Sequence, residues 1–171
     1  MLILGLHKTT LLDYPGHVAA TLFTGGCNFR CPYCHNKDIV QTTESLVPLS
    51  KTELFSFLEK RRDVLTGVCI TGGEPTLHFD LPDLIRQIKA LGYLVKLDTN
   101  GTNSNMLKFL IHAHLIDYCA MDIKNTPEKY NITVGALSNS SFLDLSTVST
   151  SIQFLIQQSI IPYEFRTTIV Q

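Results

Sequence analysis

The chain has 171 residues, of which 44% are hydrophobic and 17% are charged, and its formal net charge at pH 7 is -1. This composition is typical of one folded domain with a sizeable core and excludes a disordered chain. Because 14 Lys and Arg residues are balanced by 15 Asp and Glu residues, the sequence argues against a nucleic-acid-binding surface. No apolar run is long enough to span a membrane, and the N-terminal segment lacks a signal-peptide cleavage pattern. We therefore expect a single cytoplasmic domain over residues 1–171 that binds neither nucleic acid nor membrane.

Five short apolar runs are predicted to form strands, and longer amphipathic segments separate them. The predicted strands cover residues 18–24, 68–71, 93–98, 118–123 and 163–170. The predicted helices cover residues 50–62, 81–91, 103–114 and 151–159. Ser50 and Glu53 have the spacing of a capping box at the start of the first helix. Residues 125–150 are rich in Ser, Thr and Asn and are predicted to form a long loop with room for one helical turn.

The alternation of strands and helices favours parallel strands joined by crossover helices, an arrangement that can close partly or fully into a barrel. In such folds the functional loops follow the C-terminal ends of the strands. Four motifs occupy such positions, namely a cysteine run, TGGEP at 71–75, LDTNG at 97–101 and MDIK at 121–124. We therefore expect the four motifs to meet at one edge of the sheet.

The cysteine run CNFRCPYC places Cys27, Cys31 and Cys34 directly after the first predicted strand. A [4Fe-4S] cluster normally takes four cysteine ligands, so three thiolates predict a cluster with one iron left open for a substrate. A structural zinc site is the alternative, but zinc would need a fourth ligand, and the histidine next to Cys34 is awkwardly placed to supply it. The other two cysteines, Cys69 and Cys119, lie in apolar runs and are predicted to be core residues.

Together these motifs resemble those of the radical S-adenosylmethionine (SAM) superfamily, and within it those of the activating enzymes of glycyl radical enzymes. The segment KTTLLDYPGHVAATLFTGGCNFRCPYCHN is similar almost residue for residue to the opening of the anaerobic ribonucleoside-triphosphate reductase activating proteins and their relatives. The resemblance implies an α/β fold, a partial (βα)6 TIM-like radical SAM barrel. Because the chain ends where the fifth predicted strand finishes, we expect the domain to be truncated after that strand, with an incomplete C-terminal end.

The resemblance also implies which residues bind the cofactors. Cys27, Cys31 and Cys34 would bind the [4Fe-4S] cluster, and no catalytic side chain is predicted beyond the cluster and SAM. The SAM-binding residues would be Tyr33, Gly72, Gly73, Glu74, Asp98, Thr99, Asp122 and Lys124. The two aspartates and Thr99 could also hold a monovalent cation near the SAM carboxylate, since such an ion suits hard oxygen ligands.

Simpler interpretations of these residues stay open at this point. The GGEP segment has the composition of an ordinary strand-to-helix turn. Asp122 and Lys124 could form an ion pair at the rim of a barrel without any functional role. For Arg166, the resemblance implies a place near SAM or an incoming glycine loop, and pairing with Glu164 is the alternative.

The activity implied by the resemblance is reductive cleavage of SAM at the cluster and generation of a glycyl radical on a partner enzyme. The expected partner is a class III anaerobic ribonucleotide reductase, with a pyruvate formate-lyase type enzyme as the alternative. An external one-electron reductant such as flavodoxin or ferredoxin would be needed. Two other functions are retained for comparison: a radical SAM enzyme that acts on a small molecule or peptide, and a non-enzymatic metal-binding module.

Overall fold

The computed structural model describes residues 1–41, 46–135 and 144–169. Within these ranges the backbone forms six strands and six α-helices. The strands are β1 Ile3–Thr10, β2 Ala19–Thr24, β3 Gly67–Gly72, β4 Leu94–Thr99, β5 Tyr118–Asp122 and β6 Tyr163–Arg166. The helices are α1 Lys37–Gln41, α2 Lys51–Lys60, α3 Leu81–Ala90, α4 Ser104–His112, α5 Pro127–Thr133 and α6 Leu145–Gln157, with a short 3-10 helix at Pro75–Leu77.

The six strands form one sheet whose spatial order follows the chain order from β1 to β6. β1 runs antiparallel to β2, and each later pair of neighbours is parallel. Parallel neighbours need crossover connections, and the helices between β2 and β6 provide them. The C-terminal ends of β2 to β6 therefore lie along the same edge of the sheet, where the loops that carry the four motifs begin.

The two faces of the sheet differ in chemistry. On one face the aligned residues Leu22, Ile70 and Leu97 are completely buried and belong to the same apolar cluster as the inward side chains of α2, α3 and α4. Because successive strand residues point to opposite faces, the neighbouring positions Cys69 and Lys96 lie on the other face. The apolar core therefore lies between the sheet and its helices, and the opposite face is free to carry polar groups.

All five predicted strands are present as β2 to β6, and the α/β class is confirmed. The sequence prediction missed β1, because Gly5, His7 and Lys8 break the apolar alternation that marks a strand. Its place at the edge of the sheet, with β2 as its neighbour, allows that mixed composition. The last predicted strand extends over Tyr163–Arg166, and residue 170 lies outside the described residues. The truncation expected after that strand stays a prediction.

Helices α2, α3 and α4 agree with the prediction, and α1, α5 and the start of α6 differ from it. The predicted capping box of α2 is present, with both hydrogen bonds between Ser50 and Glu53. α6 begins six residues earlier than predicted, at Leu145, because the Asp144 side chain accepts a hydrogen bond from the Ser146 amide and caps the helix. The predicted loop 125–150 contains α5, and its residues 136–143 lie outside the described part of the chain. The short helix α1 was not predicted.

None of the helices in the described ranges combines the length and apolar character needed to cross a membrane.

Candidate cofactor site

The three cysteines of the motif lie in the loop between β2 and α1, and their side chains line one cavity at the C-terminal edge of the sheet. Each is partly exposed, whereas Cys69 and Cys119 are buried, as predicted. Backbone hydrogen bonds fold the loop, from the Cys34 amide to the Cys31 carbonyl at 3.1 Å and from the Gly26 amide to the Ile39 carbonyl at 3.0 Å. The loop is therefore held at both ends while its thiols face the cavity.

The TGGEP segment packs directly against the start of this cysteine loop. The Gly73 amide donates to the Thr24 carbonyl at 2.8 Å, and the Glu74 amide donates to the Gly26 carbonyl at 2.9 Å. A Cβ atom on Gly73 would lie 1.7 Å from the Gly26 carbonyl oxygen. Gly72 has a φ of +109°, which favours glycine. The two glycines are therefore needed for a close backbone contact between the loops after β2 and β3.

Glu74 is completely enclosed by protein, with 1% of its surface exposed. Its carboxylate accepts hydrogen bonds from the Thr76 amide at 3.1 Å, the Thr76 hydroxyl at 2.5 Å and the Thr99 hydroxyl at 2.7 Å. A fourth comes from the Asn100 amide at 2.6 Å. Burial raises the pKa of Glu74, and these hydrogen bonds oppose the rise. The carboxylate thus connects the loop after β3 to the end of β4 and the loop that follows it. The Thr99 hydroxyl donates its hydrogen bond to this carboxylate.

Asp98 and Asp122 stand at the ends of neighbouring strands and share a guanidinium. Arg166 lies 3.1 Å from an Asp98 oxygen and 3.2 Å from an Asp122 oxygen. The second oxygen of Asp98 contacts the buried Lys96, and the second oxygen of Asp122 lies 2.7 Å from the Lys124 ammonium. Every oxygen of the two carboxylates therefore faces a cationic nitrogen of the protein, which holds the pair of aspartates in place.

The ion pair between Asp122 and Lys124, which the sequence analysis gave as the simpler interpretation of these residues, is present, with 2.7 Å between carboxylate oxygen and ammonium nitrogen. The alternative of Arg166 pairing with Glu164 is wrong: in the described part of the chain the salt bridges of Arg166 are with the two aspartates. Glu164 instead approaches the Lys96 ammonium at 4.0 Å. Strand alternation and register permit the contact between Glu164 and Lys96, because Lys96 and Asp98 lie on the same face of β4 and Asp98 is aligned with Glu164 through Ala120 of β5.

The two cations at the rim remain charged in this environment. Burial opposes the charge on Lys124, but the charge and hydrogen bond of Asp122 together with the nearby Cys31 and Tyr130 outweigh it, and the pKa of Lys124 is raised. Burial likewise opposes the charge on Arg166, and Asp98 and Asp122 again raise its pKa. The cavity therefore presents two fixed positive charges beside two fixed negative ones, a setting suited to a ligand that carries both an ammonium and a carboxylate.

The three thiols and the mixed charges of the cavity fit a [4Fe-4S] cluster and SAM. Three thiols line the cavity, as a cluster with one open iron requires. Burial raises the pKa of Cys27 to about 11 and also raises the pKa of Cys31, so metal binding would have to displace these protons. Tyr33 also lines the cavity, and its buried hydroxyl interacts with the Cys31 side chain.

Among the described residues, no three His, Cys, Asp or Glu side chains converge on one point where an ion could be held. A cuboidal cluster does not need such convergence, because each cysteine binds a different iron.

The predicted site residues lie around one cavity, and sequence reasoning missed several residues that support them. Of the predicted set, Cys27, Cys31, Cys34 and the residues named for SAM all line this cavity. The missed residues include Asn36, whose amide donates to the Gly72 carbonyl at 3.0 Å, and Asn100, whose amide lies beside Cys27. Asn36 follows the cysteine run within CPYCHN, and Asn100 lies within LDTNG, and these positions were the available signal. Lys96, at 1% exposure, gave no signal beyond being a charged residue inside a strand.

A family model described as the radical SAM superfamily matches residues 21–144, which is more than half of the chain. The chain therefore belongs to the radical SAM superfamily. This membership implies a [4Fe-4S] cluster and SAM, in agreement with the three thiols and the mixed charges of the cavity.

Two relatives indicate which branches of the superfamily are similar. A protein of Methanocaldococcus jannaschii, provisionally named a glycyl-radical enzyme activating enzyme, is 37% identical over 130 residues, which cover 75% of this chain and 52% of the relative. A protein of Saccharolobus solfataricus, provisionally named a GTP 3',8-cyclase, is 33% identical over 127 residues, covering 73% of this chain and 37% of the relative. The chain thus spans about half the length, or less, of the curated relatives that it matches.

Solved structures support the fold. The structure of TYW1 with a lysine-pyruvate adduct bound has a TM-score of 0.62 and 14% identity, and the match covers 90% of this chain and 56% of that one. The structure of anSMEcpe with bound AdoMet has a TM-score of 0.55 and 20% identity, covering 82% of this chain and 40% of that one. At these identities the likeness shows the fold alone.

Proposed function

We propose that this chain is the cofactor-binding part of a radical SAM activase that generates a glycyl radical on a partner enzyme. The proposal rests on one observation: the three thiols and residues of the TGGEP, LDTNG and MDIK segments line the same cavity. The relative from M. jannaschii supports the activase branch. When bound, the cluster and SAM would together supply one-electron cleavage of SAM and, from it, abstraction of a hydrogen atom from a glycine.

In this proposal the residues of the chain bind and orient. Cys27, Cys31 and Cys34 hold the cluster. The residues proposed to bind SAM are Tyr33, Gly72, Gly73, Glu74, Asp98, Thr99, Asp122 and Lys124. Because the carboxylate of Glu74 and the hydroxyl of Thr99 bond to each other, we propose that these two act by fixing the backbone of their loops. Lys124 and the two aspartates offer charges for the amino-acid end of SAM.

A monovalent cation is a further proposal for the aspartate pair. Asp98 and Asp122 provide the hard oxygens that such an ion prefers. Those oxygens already contact Lys96, Arg166 and Lys124, so a bound ion would have to share them with three protein cations.

The partner is proposed to be a class III anaerobic ribonucleotide reductase, on the strength of the opening segment KTTLLDYPGHVAATLFTGGCNFRCPYCHN. A pyruvate formate-lyase type enzyme is the alternative partner. Flavodoxin or ferredoxin is proposed as the reductant, and the cytoplasm as the location. The relative named for a GTP cyclase supports a second candidate, a radical SAM enzyme that acts on a small molecule.

The first test is anaerobic reconstitution of the chain with iron and sulfide, reduction with dithionite, and electron paramagnetic resonance with and without SAM. We expect a [4Fe-4S]+ signal that shifts when SAM is added. Cys31→Ala is expected to abolish the signal, and Cys119→Ala, a change of the same residue type in the core, is expected to retain it. A cluster signal that does not change when SAM is added, or the absence of any cluster signal, would contradict the proposal.

The partner is tested in a second step. The reduced protein and SAM are mixed with a class III ribonucleotide reductase or with a pyruvate formate-lyase type enzyme, and the glycyl radical doublet is measured. A doublet on the reductase is the expected result. Release of 5'-deoxyadenosine without a radical on either enzyme would favour the small-molecule candidate.

A further inference from the structure

Asn100 lies directly after β4, and its side chain faces the cysteine loop. The residue is buried, with 5% of its surface exposed. Its amide nitrogen Nδ2 lies 2.8 Å from Asn28 Oδ1 and 3.9 Å from Cys27 Sγ. The Phe29 amide is a second donor to the same sulfur, at 3.4 Å. The Cys27 sulfur therefore has two N–H donors from the protein, and one of them comes from a loop distant in sequence.

Neighbouring groups fix the orientation of the Asn100 amide. Its oxygen Oδ1 accepts hydrogen bonds from the Thr102 amide at 3.0 Å and the Thr102 hydroxyl at 2.7 Å. The Thr102 hydroxyl in turn accepts a hydrogen bond from Asn28 Nδ2 at 2.9 Å. Because the oxygen side of the amide is occupied in this way, its N–H side has to face Asn28 and Cys27. The backbone amide of Asn100 is held by the buried Glu74 carboxylate at 2.6 Å.

An N–H donor at this place matters once Cys27 is a cluster ligand. The coordinated sulfur has lost its proton and can only accept hydrogen bonds. A reduced cluster carries one more negative charge than the oxidised form, and part of that charge lies on the cysteine sulfurs. Hydrogen bonds to the sulfurs therefore stabilise the reduced form more and raise the reduction potential.

We propose that Asn100 is a positioning residue that raises the reduction potential of the cluster by holding its amide N–H toward the Cys27 sulfur. The inference rests on the proposed function, because it requires a cluster on Cys27, Cys31 and Cys34. Its consequence is that the loop after β4 determines, together with the cysteine loop, which external reductants can deliver an electron.

The test is a redox titration of the reconstituted chain, monitored by the [4Fe-4S]+ signal, for wild type and three variants. Asn100→Ala removes the donor. Thr102→Val removes the hydroxyl that orients it, at a half-buried position. Asn103→Ala is the matched control, since Asn103 belongs to the same loop but bonds to Met106 and Thr76.

Asn100→Ala is expected to shift the potential to a more negative value, Thr102→Val to shift it in the same direction by less, and Asn103→Ala to leave it unchanged. Equal potentials in Asn100→Ala and wild type overturn the inference and leave the proposed function intact. If Asn100→Ala does not fold, Thr102→Val decides: a negative shift supports the inference, and an unchanged potential overturns it. A wild-type chain that assembles no cluster overturns the proposed function, and the inference with it.

Discussion

Several residues of the motifs hold the loops around the cavity against one another. Gly73 has no side chain, and this lets its backbone pack against the Gly26 carbonyl. Glu74 points into the protein and collects hydrogen bonds from two loops. A motif read only as a set of ligand-contacting groups therefore misses much of what its residues do.

Gly73→Ala is expected to displace the cysteine loop. The new Cβ would lie 1.7 Å from a backbone oxygen, and a backbone atom cannot move away by a rotamer change. We expect a loss of stability of about 1–3 kcal/mol or more, as for overpacked sites, together with reduced iron uptake. Urea denaturation and the iron and sulfide content after reconstitution measure the two effects.

Gly92→Ala is the control for this prediction. Gly92 has a φ of +93° and open space around it, so alanine there costs about 1–2 kcal/mol of backbone strain without a clash at the site. It should lose stability and keep wild-type iron uptake. Normal iron content in Gly73→Ala would show that the loop contact is not needed to hold the cysteines.

At the scale of elements, the sequence predicted a strand wherever an apolar run was followed by turn-forming residues, as for β2 to β6. It did not predict β1, where His7 and Lys8 lie on an edge strand with mixed burial. The early start of α6 depends on one cap, Asp144, in a segment whose Ser and Thr content is more typical of loops.

The positions of the site residues around one edge could be predicted, because parallel strands place their C-terminal ends together. Their contacts could not. The guanidinium of Arg166 reaches Asp98 and Asp122 across three strands, and such pairing depends on sheet register and strand tilt. Likewise, the burial of Glu74 depends on how the loops after β3 and β4 pack, which no local pattern encodes.

Ser50→Ala is expected to weaken α2 without affecting the site. The substitution removes the hydrogen bond from the Glu53 amide to the Ser50 hydroxyl but not the one from the backbone amide of residue 50 to the Glu53 carboxylate. It should cost about 1 kcal/mol, seen as a lower urea midpoint. Thr52→Ala, an exposed change within the same helix, should leave the midpoint unchanged or slightly higher because alanine favours helix. Iron uptake should be normal in both, and a loss of iron uptake in Ser50→Ala alone would contradict the separation between helix and site.

At the scale of the whole molecule, stability should depend on pH through His78. Burial lowers the pKa of His78, while its hydrogen bond to the Gly25 carbonyl, at 3.0 Å, opposes the change. A pKa that is lower in the folded state means that the unfolded chain binds the proton more readily. The stability contribution is therefore present above the unfolded pKa of about 6.5 and is lost as the pH falls through the lower folded pKa.

The expected result is a lower urea midpoint at pH 5.5 than at pH 7.5 for the chain without cluster. His78→Gln keeps an amide donor for the Gly25 carbonyl and removes the titration, so the difference between its two midpoints should be smaller. An identical difference in wild type and His78→Gln would assign the pH dependence to other groups.

The contact between Gly26 and Gly73 also limits how this site can be transferred to another protein. The hydrogen bonds from Gly73 to Thr24 and from Glu74 to Gly26 join the two loops through main-chain atoms, so no choice of side chains on a foreign scaffold can replace them. Grafting the three-cysteine loop alone onto another barrel would transfer the cysteine ligands without the backbone contacts that hold the loop in its conformation. The smallest portable unit is the cysteine loop together with the end of β3 and its two glycines.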